Sequence, residues 1–142
     1  RSANKERCRK VNDAYNEKNR DKMLAWQHRA STTRRKNPMF KLSDHMGTRM
    51  GAALKSGKGG KSWKTMVSFT LQELRERLES LFQPGMAWEN YGQWHVDHIR
   101  PVCSFNFNGP DDEDFKKCWS LDNLQPLWAR DNKSKGGRWE NN

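Results

Sequence analysis

The clearest periodic pattern of apolar residues lies between residues 70 and 83. Thr70 and Glu73 form the capping box that begins a helix. The apolar positions that follow share spacings of three and four: Leu71, Leu74, Leu78, Leu81 and Phe82. Pro84 and Gly85 end the segment. The pattern predicts one strong amphipathic helix, which we interpret as scaffold.

Two further helices are predicted towards the N-terminus. Residues 4–36 contain no Gly and no Pro and few apolar residues, which predicts one or two long, highly charged helices ending near Asn37-Pro38. A helix this polar is either solvated or lies along a negatively charged partner. Residues 40–55 carry a rough apolar stripe and predict another helix, and the SGKGGKS segment at 56–62 is interpreted as a linker.

The C-terminal half has a different, mixed pattern. Residues 93–99 alternate as a strand, with His95, Asp97 and Ile99 on one face and Val96 and His98 on the other. Residues 104–114 predict a loop, 115–119 a short helix, and the stretch before Pro126 a short strand. A helix over 128–135 should stop at Gly136. The sequence therefore predicts an α+β fold that is mostly helical.

Charge divides the chain in two. The 142 residues have a formal net charge of +10. Residues 1–64 hold 18 Lys or Arg against 5 Asp or Glu, a net of +13, whereas residues 65–142 hold 9 against 12, a net of −3. A basic front half favours a polyanionic partner. The absence of a long apolar run argues against a membrane protein, and three cysteines without a CxxC pair fit reduced thiols in an intracellular protein.

Three short segments carry the candidate chemistry: DHIRP at 97–101, DNLQPL at 122–127 and DNKSKG at 131–136. In this order they resemble the HNH endonuclease family, and the back half resembles small phage-type members. The resemblance implies a ββα-metal catalytic unit in the C-terminal half. It divides the chain into a basic helical DNA-binding arm and linker, 1–62, and a nuclease domain with a supporting helix, 63–142. It also implies an intracellular, phage-type enzyme.

The resemblance also assigns roles to four residues. His98 would be the general base that activates water, and Asp97 would be a metal ligand. Asn123 would tie the loop to the site, and Asn132 would be the second metal ligand, which makes this an H-N-N variant. An imidazole with a pKa near 6.5 suits a general base at neutral pH, and oxygen ligands favour one Mg²⁺ or Mn²⁺ ion.

The expected function is metal-dependent cleavage of double-stranded DNA, by nicking or by double-strand breakage, and a dimer could supply the second cut. The alternative is a DNA-binding module that kept the fold without the activity. His95 could be a further ligand, touch phosphate or simply pack. Side chains flanking the site and expected to hold phosphates are Arg100, Lys133 and Lys135. Those expected to contact DNA elsewhere are Arg34, Arg35, Lys36, Lys58 and Lys61.

Overall fold

The computed structural model describes residues 2–139, and these form two compact units, 2–37 and 38–139. The first unit is a single helix, α1 (Ser2–Lys36), which buries none of its residues. It has 11 Lys or Arg against 4 Asp or Glu, a net charge of +7. The predicted helix over 4–36 is therefore confirmed as one continuous helix, which ends at the residue before Asn37-Pro38.

The second unit begins with α2 (Pro38–Ala53), and Pro38 is its first residue. The buried residues of α2 recur every four positions at Leu42, Met46 and Met50. This helix packs against α3 (Leu71–Ser80) and the helical turn at Trp63–Thr65. The compact units thus divide at residue 37, and the predicted division for function at residue 62 stays a prediction.

The capping box that begins α3 is confirmed. The Glu73 amide donates to Thr70 Oγ1 at 3.2 Å, and the Thr70 amide donates to Glu73 Oε2 at 2.7 Å. Leu74 and Leu78 are fully buried, whereas Leu81 lies beyond the helix and is 37% exposed.

A two-stranded antiparallel sheet forms the centre of this unit, with β1 (Trp94–His98) paired to β2 (Leu124–Trp128). The predicted strand stopped before Pro126, but β2 continues through it to Trp128. Pro126 lies opposite Val96, and the hydrogen bonds from Ile99 to Asn123 and from Ala129 to Gln93 place this pair at a non-hydrogen-bonded position. The missing proline N–H therefore costs no ladder bond.

Two short helices complete the unit. The first, α4 (Glu113–Cys118), begins two residues earlier than predicted. The second, α5 (Ala129–Lys135), follows β2 directly and packs against both strands. Gly136 ends α5 with a φ of 52°, as predicted, because glycine adopts this left-handed conformation without strain.

The fold is α+β and mostly helical, as predicted. Its core combines the apolar sides of α2 and α3 with aromatic residues around the sheet, among them the fully buried Trp94, Phe115 and Trp119. Among residues 2–139, no helix is both long and hydrophobic enough to cross a bilayer.

Candidate functional site

Asp97 is a buried carboxylate on β1, with 6% of its surface exposed. Its Oδ2 accepts a hydrogen bond from Gln125 Nε2 at 2.9 Å, and Gln125 is its cross-strand partner on β2. The same oxygen pairs with Lys135 Nζ at 2.6 Å. The Lys135 ammonium also donates to the His98 carbonyl oxygen at 2.5 Å, so this side chain ties the end of α5 to β1.

His98 lies beside Asp97 at the end of β1 and is 5% exposed. Its ring stands edge-on to Trp119, with centroids 4.4 Å apart. The pKa of His98 is lowered to about 4, first by burial and then by the positive charges of Arg49 and Lys135, which the Asp97 charge offsets only in part. The imidazole is therefore neutral at pH 7. Within residues 2–139, its buried Nε2 has no hydrogen-bond partner.

Asn123 fastens the segment after β1 to the beginning of β2. Its Oδ1 accepts from the Arg100 amide at 2.8 Å. Its Nδ2 donates to the carbonyl oxygens of Arg100 and Cys118 at 3.1 and 2.9 Å. Together with the bond from the Ile99 amide to the Asn123 carbonyl oxygen, these contacts fix the backbone that follows His98. The structure thus places Asn123 where its side chain can hold the loop.

The predicted phosphate-binding residues have different surroundings. Lys135 is engaged with Asp97, as described above. The Arg100 guanidinium turns to its own loop, where it donates to Ser104 and lies 4.1 Å from the Phe105 ring. Lys133 is exposed on α5. The structure therefore brings Lys135 to Asp97 and gives the Arg100 side chain other partners.

The residues expected to contact DNA lie outside this cluster. Arg34, Arg35 and Lys36 form the last turn of α1, in the first compact unit. The side chain of Lys58 lies across two glycines of α2, since a Cβ on Gly47 would be 3.1 Å from its Nζ. Lys61 lines a cavity of about 730 Å³ that also includes Asp111 and Trp119.

Three contacts of the site involve residues that sequence reasoning missed. The Arg49 guanidinium, on α2, donates to the Val96 carbonyl oxygen on β1. Gln125 reaches Asp97, and Trp119 packs against His98. The register of β1 and β2 would have indicated Gln125, but no sequence pattern singles out Arg49 or Trp119.

His95 lines a cavity of about 290 Å³ between α2 and β1. His45, Arg49 and Tyr91 line the same cavity, together with Met46, Thr48 and Val96. The Tyr91 hydroxyl and His45 Nδ1 are hydrogen-bonded at 2.8 Å. The sequence left the role of His95 open. In the structure, His95 lines this cavity together with the polar side chains of His45, Arg49 and Tyr91.

The predicted metal ligands, Asp97 and Asn132, offer oxygen donors that fit a hard divalent cation. Within the described part of the chain, Asp97 Oδ1 and the Asn132 side chain make no hydrogen bond, and no cluster of three or more His, Cys, Asp or Glu side chains could hold a metal. A site built on these residues would therefore take its remaining ligands from water or substrate. The unpartnered His98 Nε2 beside Asp97 also fits a site that receives a ligand.

Comparison with known proteins gives one viral relative. Over 100 residues, which cover 70% of this chain and 43% of the relative, the sequence is 27% identical to an uncharacterized protein of Acanthamoeba polyphaga mimivirus. The chain thus spans less than half the length of that protein. No family model matches the sequence, and no solved structure matches it.

Proposed function

We propose that the chain is a metal-dependent DNA endonuclease of the HNH type. The observation that carries the proposal is the placement of Asp97 and His98 at the end of β1. Next to them, the Asn123 side chain bonds to the backbone of Arg100 and Cys118. The order β1, β2, α5 and the contact of α5 with both strands are what the three sequence segments imply for a ββα unit. Asn132 lies on α5, where the second oxygen ligand is expected.

His98 would accept the proton of the attacking water. It is neutral at pH 7 because its pKa is about 4, and a neutral imidazole has a free acceptor nitrogen. The depressed pKa makes it a weak base in the free protein. A phosphodiester entering near Arg49 and Lys135 would offset their positive charges and raise the basicity of His98, while the metal ion on Asp97 would act in the opposite direction.

The other residues would hold the metal ion and the DNA and keep the site in position. Asp97 and Asn132 would hold one Mg²⁺ or Mn²⁺ ion, which when bound supplies charge stabilisation at the phosphoryl oxygens. Gln125 would keep the Asp97 carboxylate in place through its 2.9 Å hydrogen bond. Asn123 would keep the backbone after His98 fixed. The net charge of +7 on α1 would attract the DNA backbone.

The test is a plasmid-nicking assay in Mg²⁺ and in EDTA. His98→Ala should bind duplex DNA nearly as well as the parent but cut about 10² to 10⁴ times more slowly, because a general base contributes roughly this factor. Part of the rate should return at high pH. Asp97→Asn should lose both metal affinity and cleavage. Lys117→Gln, an exposed change on α4, is the matched control and should cut at the parental rate.

A non-catalytic DNA-binding module is the second candidate, and the burial of His98 favours it. The residue is 5% exposed, and its Nε2 is buried. A parent protein that binds duplex DNA but nicks no plasmid in Mg²⁺ or Mn²⁺ would support this candidate. Parental cutting by His98→Ala would instead show that the roles assigned here are wrong.

A further inference from the structure

The cavity between α2 and β1 collects hydrogen-bond donors around the Arg49 guanidinium. One N–H of the Arg49 guanidinium donates to the Val96 carbonyl oxygen, which anchors the guanidinium at the cavity. A guanidinium has several more N–H donors and no acceptor. Within residues 2–139, Arg49 forms no ion pair. The guanidinium can therefore pair with an anion from outside the chain.

The neighbouring side chains add neutral donors to this cation. The pKa of Tyr91 is raised to about 12, chiefly by burial, so its hydroxyl keeps its proton and can donate to His45 Nδ1. That tautomer leaves the His45 proton on Nε2, as a donor. Burial lowers the pKa of His45; the Asp44 carboxylate opposes this shift, and His95 and Arg49 add to it. Both histidines line the cavity, so His95 can present a ring N–H to the same space.

We infer that this cavity is a binding site for a phosphodiester group, held by Arg49, His45 and His95. The inference rests on the proposed function, because it assigns the bound group to a non-scissile phosphate of the DNA backbone. A tetrahedral oxyanion accepts several hydrogen bonds at once and matches a guanidinium in geometry and charge. A divalent cation is the weaker match, since the lining residues that the structure describes include a fixed positive charge and no carboxylate.

The position of Arg49 links this site to the candidate active site. Its guanidinium bonds to the residue that precedes Asp97, and its charge acts on both His98 and His45. A phosphate on Arg49 would thus lie close to the phosphate that reacts. Its role would be to set the register of the DNA strand at Asp97 and His98.

The experiment measures binding of a fluorescein-labelled DNA duplex by anisotropy in EDTA over a range of KCl concentrations. Arg49→Gln should weaken binding and lower the slope of log K against log salt by about 0.9, the value of one phosphate contact. His95→Leu leaves the formal charge unchanged and should weaken binding about tenfold at fixed salt, because a charge-assisted hydrogen bond is removed. The double variant should lose less than the product of the two effects, because both side chains hold one group.

Two controls separate the possible outcomes. Lys117→Gln removes one positive charge from α4, where its side chain is exposed, and should leave affinity and salt slope unchanged. Inorganic phosphate, followed by the ring-proton NMR signals of His45 and His95, tests the site without DNA. The signals should shift in the parent and stay in place in Arg49→Gln. Unfolding curves of each variant check that the fold is kept.

Each result then has one meaning. Normal DNA binding by Arg49→Gln and His95→Leu would overturn the subsite and leave the proposed nuclease function standing. A phosphate response without any DNA binding would keep an anion site and overturn the DNA function. Strictly multiplicative effects would mean that the two residues hold different groups, which contradicts a shared phosphate. Ring signals that respond to Zn²⁺ and not to phosphate would make this a cation site.

Discussion

Replacing Lys135 with methionine should destabilise the unit of residues 38–139 by about 3 kcal/mol. The ammonium lies 2.6 Å from Asp97 Oδ2, and the two side chains are 21% and 8% exposed. Removing one partner of a buried ion pair costs about 3 to 5 kcal/mol, because the other charge stays buried without compensation. The Gln125 hydrogen bond to the same oxygen remains, which places the expected loss at the low end of this range.

The assay is urea unfolding at pH 7 of the parent, Lys135→Met and Lys133→Met. Lys133 is two positions earlier on the same helix and is exposed, so its replacement should change the free energy of unfolding by no more than about 0.5 kcal/mol. An Asp97→Asn background removes the buried charge. In that background Lys135→Met should cost about 2 kcal/mol less, which measures the coupling between the two side chains.

The same variant reports on divalent cations. Without the ammonium, the Asp97 carboxylate is left to another cation, so Mn²⁺ should stabilise Lys135→Met more than the parent. A destabilisation no larger than that of Lys133→Met would refute the claim that this pair holds α5 to β1. Equal destabilisation in the parental and Asp97→Asn backgrounds would show that the methionine acts through packing and not through charge.

Further predictions concern stability and binding. The pKa of His98 is about 4, below its ordinary 6.5, so between pH 7 and pH 4 unfolding is accompanied by uptake of a proton at this residue. The free energy of unfolding should therefore drop by about 3 kcal/mol as the pH falls from 7 to 4. His98→Leu should flatten this pH profile. Asn123→Ala removes three side-chain hydrogen bonds and should cost about 3 kcal/mol in urea unfolding, while the exposed Asn106→Ala should change little. Thr70→Ala should cost about 1 kcal/mol, measured in the same way, because α3 would no longer have its side-chain cap. Glutamine at positions 34, 35 and 36 should lower the salt slope of duplex binding in EDTA by about 0.9 for each phosphate that these side chains neutralise in the parent, and an unchanged slope would exclude the end of α1 from the interface.

Sequence reasoning succeeded where structure depends on neighbours along the chain. The capping box at Thr70, the glycine stop at Gly136 and the break before Pro38 are local signals, and each marks an element boundary in the structure. The β1 strand also followed from alternation over a few residues. The order of strand, loop, strand and helix after residue 93 was also predicted, and the assembly of these elements into an HNH unit stays a prediction.

The contacts that sequence reasoning missed join residues far apart in the chain. Arg49 is 47 positions from Val96, and only the packing of α2 against the rest of the unit brings them together. The strand through Pro126 was missed because its tolerance depends on register, which hydrophobic alternation alone does not specify. The burial of His98 against Trp119 likewise depends on where α4 ends relative to β1.

The charges around His98 determine how its proton affinity changes when a ligand binds. Two cations, on α2 and α5, act on one buried imidazole, and a single carboxylate opposes them. In this balance the proton is disfavoured, so the ring stays neutral and weakly basic while the protein is free. Any anion that pairs with Arg49 or Lys135 offsets part of their positive charge and raises the proton affinity of His98. If the ligand is a DNA strand, its phosphates would raise the basicity of His98, whereas a divalent cation on Asp97 would lower it. The same burial that makes His98 a poor base in the free protein would thus couple its basicity to binding.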